Sequence, residues 1–299
     1  MDKQRLKKLQ AVTKYVANLP VFGRLFLRPI RRVRKFMAVD EDIDTTYDSN
    51  IYITTNLRDH MESRIFWKGF LEGDRGEMVL LDEFLERDDC EVFFDVGAHV
   101  GIFSLYAAKR LSDGIVHSFE PLEDHVERLR YNIDMNGFEN IKINKTLLSN
   151  SSGTGEISVP IAEESENPLL AGSGGSSTIE PDPSGSYESH TVLQSTLDDY
   201  VDENDVSDVD LIKVDVEGAE LDVLDGGLDT LRSFHPWVLM ELDKRLLERA
   251  GRSGEDVLYF WRDHGYSVHR IEYDGSLTEV IDPSDLNTKQ NILAEPALT

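Results

Sequence analysis

Residues 92–101 read VFFDVGAHVG, and this stretch decides the fold. Val92–Val96 is a short apolar run whose one acid is Asp95, and Gly97 and Gly101 follow it. A run of this length closed by glycine is the pattern of a strand buried on both faces. Glycine just beyond a strand lets backbone pass close to a ligand at a helix start. The spacing predicts a helix over Ile102–Leu111 and a second strand over Ile115–Phe119, ended by Glu120-Pro121. A helix over Asp124–Asn136 follows, with Gly137 just past its end, and then a third strand over Ile141–Leu148.

Further on, Thr196–Val201 reads as a short helix and Asp210–Val214 as a fourth strand. Ala219–Leu231 is a helix interrupted near Gly226-Gly227, Trp237–Leu242 a fifth strand, Gly254–His264 a helix, Ser267–Ile271 a sixth strand and Ile292–Ala294 a seventh. Strands alternating with helices of this length predict an α/β protein: a mostly parallel seven-stranded sheet with helices on both faces. Ligands of such sheets sit at the carboxyl ends of the strands, where the strand order switches.

Three regions are expected: a basic, partly amphipathic arm over 1–45, a helical cap region over 46–89, and the α/β domain over 90–299. Residues 150–190 are rich in Gly, Ser and Pro and read as a loop insertion, either a mobile cover for the ligand site or a plain surface excursion.

The chain has 299 residues and a net charge of −26, very unevenly spread. Residues 1–39 hold eleven Lys and Arg against the single Asp2, a charge of +10, so the remainder carries −36. This acidity argues against a nucleic-acid partner, since phosphate contacts need clustered cations. It fits either adaptation to a salty cytoplasm or an ordinary acidic enzyme. The arm's cations lie among Leu6, Leu9, Val16, Phe22, Leu25 and Phe26, a composition suited to an anionic membrane surface or to packing on an acidic protein body. Arg24 and Arg28 interrupt the apolar run, which argues against a secretory signal, and no run reaches the roughly 20 apolar residues of a spanning helix. The expected location is cytoplasmic, including the inner face of the membrane. The lone Cys90 excludes a disulfide framework.

Two clusters carry the chemistry. In the first, Asp95 ends one strand and Glu120 the next, on either side of the Gly97–Gly101 loop. Glu120 stands where a carboxylate accepts both hydroxyls of a ribose, and Asp95 where it helps to hold a cationic ligand. The G-x-x-x-G spacing lacks the middle glycine of the dinucleotide fingerprint, which disfavours an NAD-dependent oxidoreductase. The second cluster is Lys213-Val-Asp-Val-Glu217-Gly-Ala-Glu220. Strand alternation puts Lys213 and Asp215 on one face, with Glu217 just past the strand end. A carboxylate or a carboxylate–lysine pair there can take a proton from a hydroxyl. Asp215 is the favoured base because the strand fixes its direction; Glu241, at the functional edge on the fifth strand, is the alternative. Helix-start carboxylates stabilised by the macrodipole are the competing reading. No metal is assigned, because Asp215 and Glu217 have no identifiable third ligand.

The runs FDVGAHVGIF (94–103), SFEP (118–121), TLDDY (196–200), LIKVDVEGAE (211–220) and PWVLME (236–241), in this order, resemble the FkbM family of S-adenosylmethionine-dependent methyltransferases. The resemblance covers roughly residues 75–275. It implies the Rossmann-like class I methyltransferase fold and S-adenosylmethionine as cofactor. It also implies O-methylation of a hydroxyl on a sugar, glycolipid or related small molecule. Carried onto this chain, it implies cofactor contacts from Asp95, Gly97, Ala98, His99, Gly101 and Glu120, and from Leu148 and Ser149 after the third strand. The family more often has Asn where His99 stands. A non-catalytic binding protein that keeps the fold is the remaining alternative; joint retention of Asp95, Glu120, Asp215 and Glu217 speaks against it.

Overall fold

The computed structural model describes residues 7, 8, 10, 42–48, 50–57, 59–69, 75–161 and 185–297. Most of the basic arm and the centre of the 150–190 insertion lie outside the described residues. The chain divides into two compact units: residues 1–73 with 160–176, and residues 74–159 with 177–299.

In the first unit, β1 (Ile43–Tyr47) and β2 (Ile51–Thr55) form an antiparallel hairpin followed by α1 (His60–Lys68). Asp59 caps α1 through the Glu62 N–H, and Gly69 ends it with φ 80°, a conformation glycine adopts without strain. Ile43, Leu57, Phe66 and Trp67 form its core. Local sequence suggested only a helical cap here and did not disclose the hairpin.

The second unit opens with α2 (Arg75–Leu85), then β3 (Val92–Val96), α3 (Ile102–Arg110), β4 (Ile115–Phe119), α4 (Glu123–Asn136) and β5 (Ile141–Asn144). Short β6 (Leu147–Leu148), β7 (Gly153–Pro160) and β8 (Tyr187–Ser195) form a separate three-stranded sheet. After α5 (Leu197–Glu203) come β9 (Leu211–Val214), α6 (Glu220–Asp225), α7 (Leu228–Phe234), β10 (Trp237–Asp243), α8 (Lys244–Arg249) and α9 (Gly254–Asp263). The chain closes with β11 (Tyr266–Ile271), β12 (Leu277–Glu279) and β13 (Lys289–Pro296).

The main sheet has the order β12-β11-β13-β10-β9-β3-β4-β5. β5, β4, β3, β9 and β10 are parallel, and β13 runs antiparallel between β10 and β11. Seven strands were expected; the short edge strand β12 is an eighth. The third strand is also corrected: its apolar run divides at Lys145-Thr146, so β5 stays in the main sheet while β6 pairs with β8. The expected loop at 150–190 carries strands at both of its ends.

Strand order reverses between β3 and β9, and the carboxyl ends of strands at such a switch are where sheets of this kind bind ligands. The register aligns Asp95 with Ser118 on one side and with Lys213 on the other. Met240 pairs with Val214, which brings Glu241 level with Asp215 one residue further along. The core beneath this edge contains Phe94, Val96, Phe119, Ile212, Val214, Met240 and Trp261.

Candidate active site

The loop after β3 is held by its own hydrogen bonds. The N–H groups of Gly97 and Ala98 both donate to the Phe119 carbonyl, at 3.0 and 2.9 Å. The Gly101 N–H donates to the Ala98 carbonyl at 2.8 Å, and the His99 N–H to Glu120 Oε2 at 2.9 Å. These four donors are used within the protein, so the glycines serve shape rather than N–H donation. Gly97 has φ 87°, and a Cβ on it would lie 2.0 Å from the Asp215 carbonyl oxygen. Gly101 has φ 89°, and its Cβ would meet Leu129 at 2.2 Å. His99 also has positive φ, 51°, a region Asn and His tolerate better than most residues. Its ring packs edge-on against His125 with centroids 4.1 Å apart. Burial, then His125, pushes the His99 imidazole down to about 3, so it is neutral at pH 7.

Asp95 is buried, and its Oδ2 accepts from Ser104 Oγ at 2.5 Å. Its Oδ1 is buried with no hydrogen-bond partner. Burial raises this carboxyl, only partly offset by Lys213 and Ser104. A buried carboxylate oxygen without a partner fits a cationic group of a ligand. Glu120 is also buried, but more fully used. Besides His99 it accepts from the Leu122 N–H at 3.0 Å and faces His125 Nδ1 at 3.2 Å. Burial would raise its pKa; these donors outweigh that and hold it below the usual carboxylate range. Leu148 and Ser149 are placed differently. Leu148 packs in the main core, and the Ser149 backbone is taken by the Ser195 carbonyl while Gly226 lies against its own carbonyl.

The second cluster assembles as its spacing suggests and gains a member from β10. Lys213 is buried, donates to Asp215 Oδ2 at 2.9 Å, and sits 4.2 Å from the Phe103 ring centre. Burial would lower the lysine, yet Asp215, Glu77 and Asp95 together hold it above its ordinary value. Burial would raise Asp215, and Lys213 overrides it, so Asp215 stays below the ordinary range. Carboxylate oxygens of Asp215, Glu217 and Glu241 all lie within 4.8 Å of one another. That spacing could bridge a cation, but two of the three already take an ammonium group. Asp215 takes Lys213, and Glu241 takes Lys289 at 2.6 Å. Burial first, then Asp215, pushes the Glu241 carboxyl up to about 7 despite that lysine.

Sequence reading missed Glu77, Asn291 and Lys289. Glu77 of α2 is buried and accepts from Asn291 Nδ2 at 3.0 Å. Strand pairing brings Asn291 and Lys289 to the site edge, and the packing of α2 brings Glu77 to Asn291; no local pattern could have marked them.

A mostly parallel sheet in which only β13 and the edge strand β12 run antiparallel, a tight glycine loop after its central strand, and acids at the neighbouring strand ends define a Rossmann-like methyltransferase. Residues 95–268 match the family described as "Methyltransferase FkbM domain", and the chain belongs to that family. The hexuronic acid methyltransferase AglP of Haloferax volcanii is 31% identical over 212 residues, 68% of this chain and 80% of that protein. Methyltransferase sdnD of Sordaria araneosa is 28% identical over 151 residues, 44% of this chain and 58% of that one. Among solved structures, methyltransferase FkbM from Methylobacillus flagellatus is similar at a TM-score of 0.41 and 17% identity, over 69% of this chain and 44% of that chain. The methyl donor of the family, S-adenosylmethionine, is the cofactor, which takes the place of the nicotinamide alternative.

Proposed function

We propose that the chain transfers a methyl group to a hydroxyl of a sugar, glycolipid or related small molecule, with Glu241 as proton acceptor. The observation that carries this reading is the convergence of Glu241 with Asp215 and Glu217 beside the cofactor loop. The Haloferax relative, named for a hexuronic acid, supports a glycan acceptor. In this reading Asp95, Gly97, Ala98, His99, Gly101 and Glu120 hold the cofactor.

When bound, S-adenosylmethionine would supply an electrophilic sulfonium methyl together with a neutral thioether leaving group, so no metal or further activation of the donor would be required. The protein must bind and orient the hydroxyl and receive its proton. Asp215 is poorly suited to receive it, because Lys213 stabilises its charged form. Glu241, at about 7, matches a base working near neutral pH. The favoured base therefore moves from Asp215 to Glu241, while Lys213 and Asp215 set the charge around it.

Glu241→Gln is expected to lose about 10²–10⁴-fold in turnover while still binding S-adenosylmethionine. The assay follows labelled methyl transfer to glucuronic acid- and glucose-containing glycans. Full turnover in Glu241→Gln would overturn the base. Label released by mild alkali would mark a methyl ester and overturn the hydroxyl. Turnover is expected to survive EDTA; loss restored by Mg²⁺ would replace proton acceptance with a metal role.

The acidity of residues 40–299 supports work in a salt-rich cytoplasm, and the +10 of residues 1–39 supports a contact with anionic membrane lipids. No described helix is long and apolar enough to cross a membrane.

A further inference from the structure

We infer that Lys289 is a positioning residue for the proton acceptor: from antiparallel β13 its ammonium fixes Oε2 of Glu241 and leaves Oε1 for the acceptor hydroxyl. This rests on the reading of Glu241 as the base.

Strand register is the starting point. Lys289 stands opposite Asp243, while Glu241 stands opposite Asn291. Glu241 and Asp243 share one face of β10, so either is within reach of a long side chain on the facing strand. Asp243 is already occupied. Arg245 holds both of its oxygens, at 3.0 and 2.6 Å, and the Arg245 N–H donates to it at 2.9 Å. The Lys289 ammonium therefore passes its direct partner and bonds Glu241 diagonally at 2.6 Å. Among the described residues Glu241 Oε1 takes no hydrogen bond. The Glu241 side chain is 16% exposed and that of Lys289 48%. The lysine thus lies on the solvent side of the pair, and the free oxygen belongs to the more buried partner.

The charges that face Glu241 give this pair its effect. Asp215 beyond β9 and Glu217 in the following loop are negative, and Lys289 from β13 is positive. Lys213 is committed to Asp215 and Arg245 to Asp243. Without Lys289, Glu241 would face two carboxylates with no cation of its own and would hold its proton to higher pH. A lysine with a purely structural role would shift that midpoint and leave the acidic limb of kcat/KM where it is.

The test reads the proton directly. Full-length protein labelled with ¹³C-glutamate gives a carboxyl resonance for Glu241, assigned by its absence in Glu241→Gln. Its titration midpoint is expected to rise by about one pH unit or more in Lys289→Met and Lys289→Gln, and to return toward wild type in Lys289→Arg. The acidic limb of kcat/KM for methyl transfer should move with it, about a tenfold loss below the midpoint for each unit. A midpoint unmoved in the folded Met and Gln variants, or one not recovered in Lys289→Arg, would overturn the proposal. Full turnover in Glu241→Gln with a shifted midpoint would instead keep the Lys289–Glu241 coupling and remove Glu241 from the base role.

Discussion

At Gly97 the residue type is set by a neighbour of the cofactor loop before any ligand arrives. The backbone is left-handed there, and the Asp215 carbonyl occupies the position a Cβ would need. Gly97→Ala is therefore expected to cost about 2 kcal/mol or more of stability and to displace Asp215, measured by urea unfolding without cofactor. An unchanged midpoint would mean that the loop and the β9 end yield freely. Glu220 makes a contrasting case. It is buried, accepts from the Gly218 N–H at 2.9 Å, and burial first of all pushes its carboxyl up to about 7. A folded value above the unfolded one favours the protonated form in the folded state, so this group's contribution is full below about pH 4.5 and is lost as pH rises through 7. Glu220→Gln keeps an acceptor for Gly218 and removes the buried charge. The variant should match wild type near pH 4 and be the more stable at pH 8, by about 1–3 kcal/mol. Equal stability at pH 8 would show that the carboxylate is well solvated. The candidate site was half legible at this scale. Asp95, Lys213 and Asp215 stand where alternation and strand ends put them. The proposed preference for Glu241 over Asp215 as base rests on burial and paired lysines, which no spacing displays.

Among the elements, α5 depends on one polar network. Tyr200 Oη lies 2.7 Å from His117 Nδ1 and donates to Asn144 Oδ1 at 3.0 Å, so it ties the helix to β4 and β5. Burial, then Lys142, pushes His117 down to about 4, so its ring is neutral at pH 7 and needs that hydroxyl. Tyr200→Phe leaves a buried imidazole nitrogen unpaired and is expected to cost about 1–3 kcal/mol in urea unfolding. A loss below about 0.5 kcal/mol would mean that water replaces the hydroxyl. Strands of the parallel sheet were legible because each is an apolar run closed by a turn residue. IKINKTLL at 141–148 was not, since its alternation continues across Lys145 while its pairing partner changes. That change is dictated by β8, more than 40 residues away, which the local pattern cannot register. Short α8 was hidden for a related reason: its Asp243 cap reads in sequence as the tail of a strand.

For the whole molecule, charge is the dominant long-range quantity. Residues 40–299 carry −36, and a body this acidic repels itself through solvent. The local ion pairs do not offset it. Arg252 lies 3.5 Å from both Asp222 and Asp225, and Arg245 is committed to Asp243. One cation thus faces two acids on α6, and the remaining repulsion acts at distances where salt screens it. The screening length falls from about 10 Å at 0.1 M to about 3 Å at 1 M, so added salt weakens distant repulsion more than close pairs. Thermal stability is therefore expected to rise from about 0.1 M to molar KCl. The Lys213–Asp215 pair is buried and should be little affected, so methyl-donor affinity should change less than the melting temperature does. A melting temperature flat over that range would show that the acidic surface is already relaxed by its geometry, and would leave the −36 as a solubility device rather than an adaptation to salt.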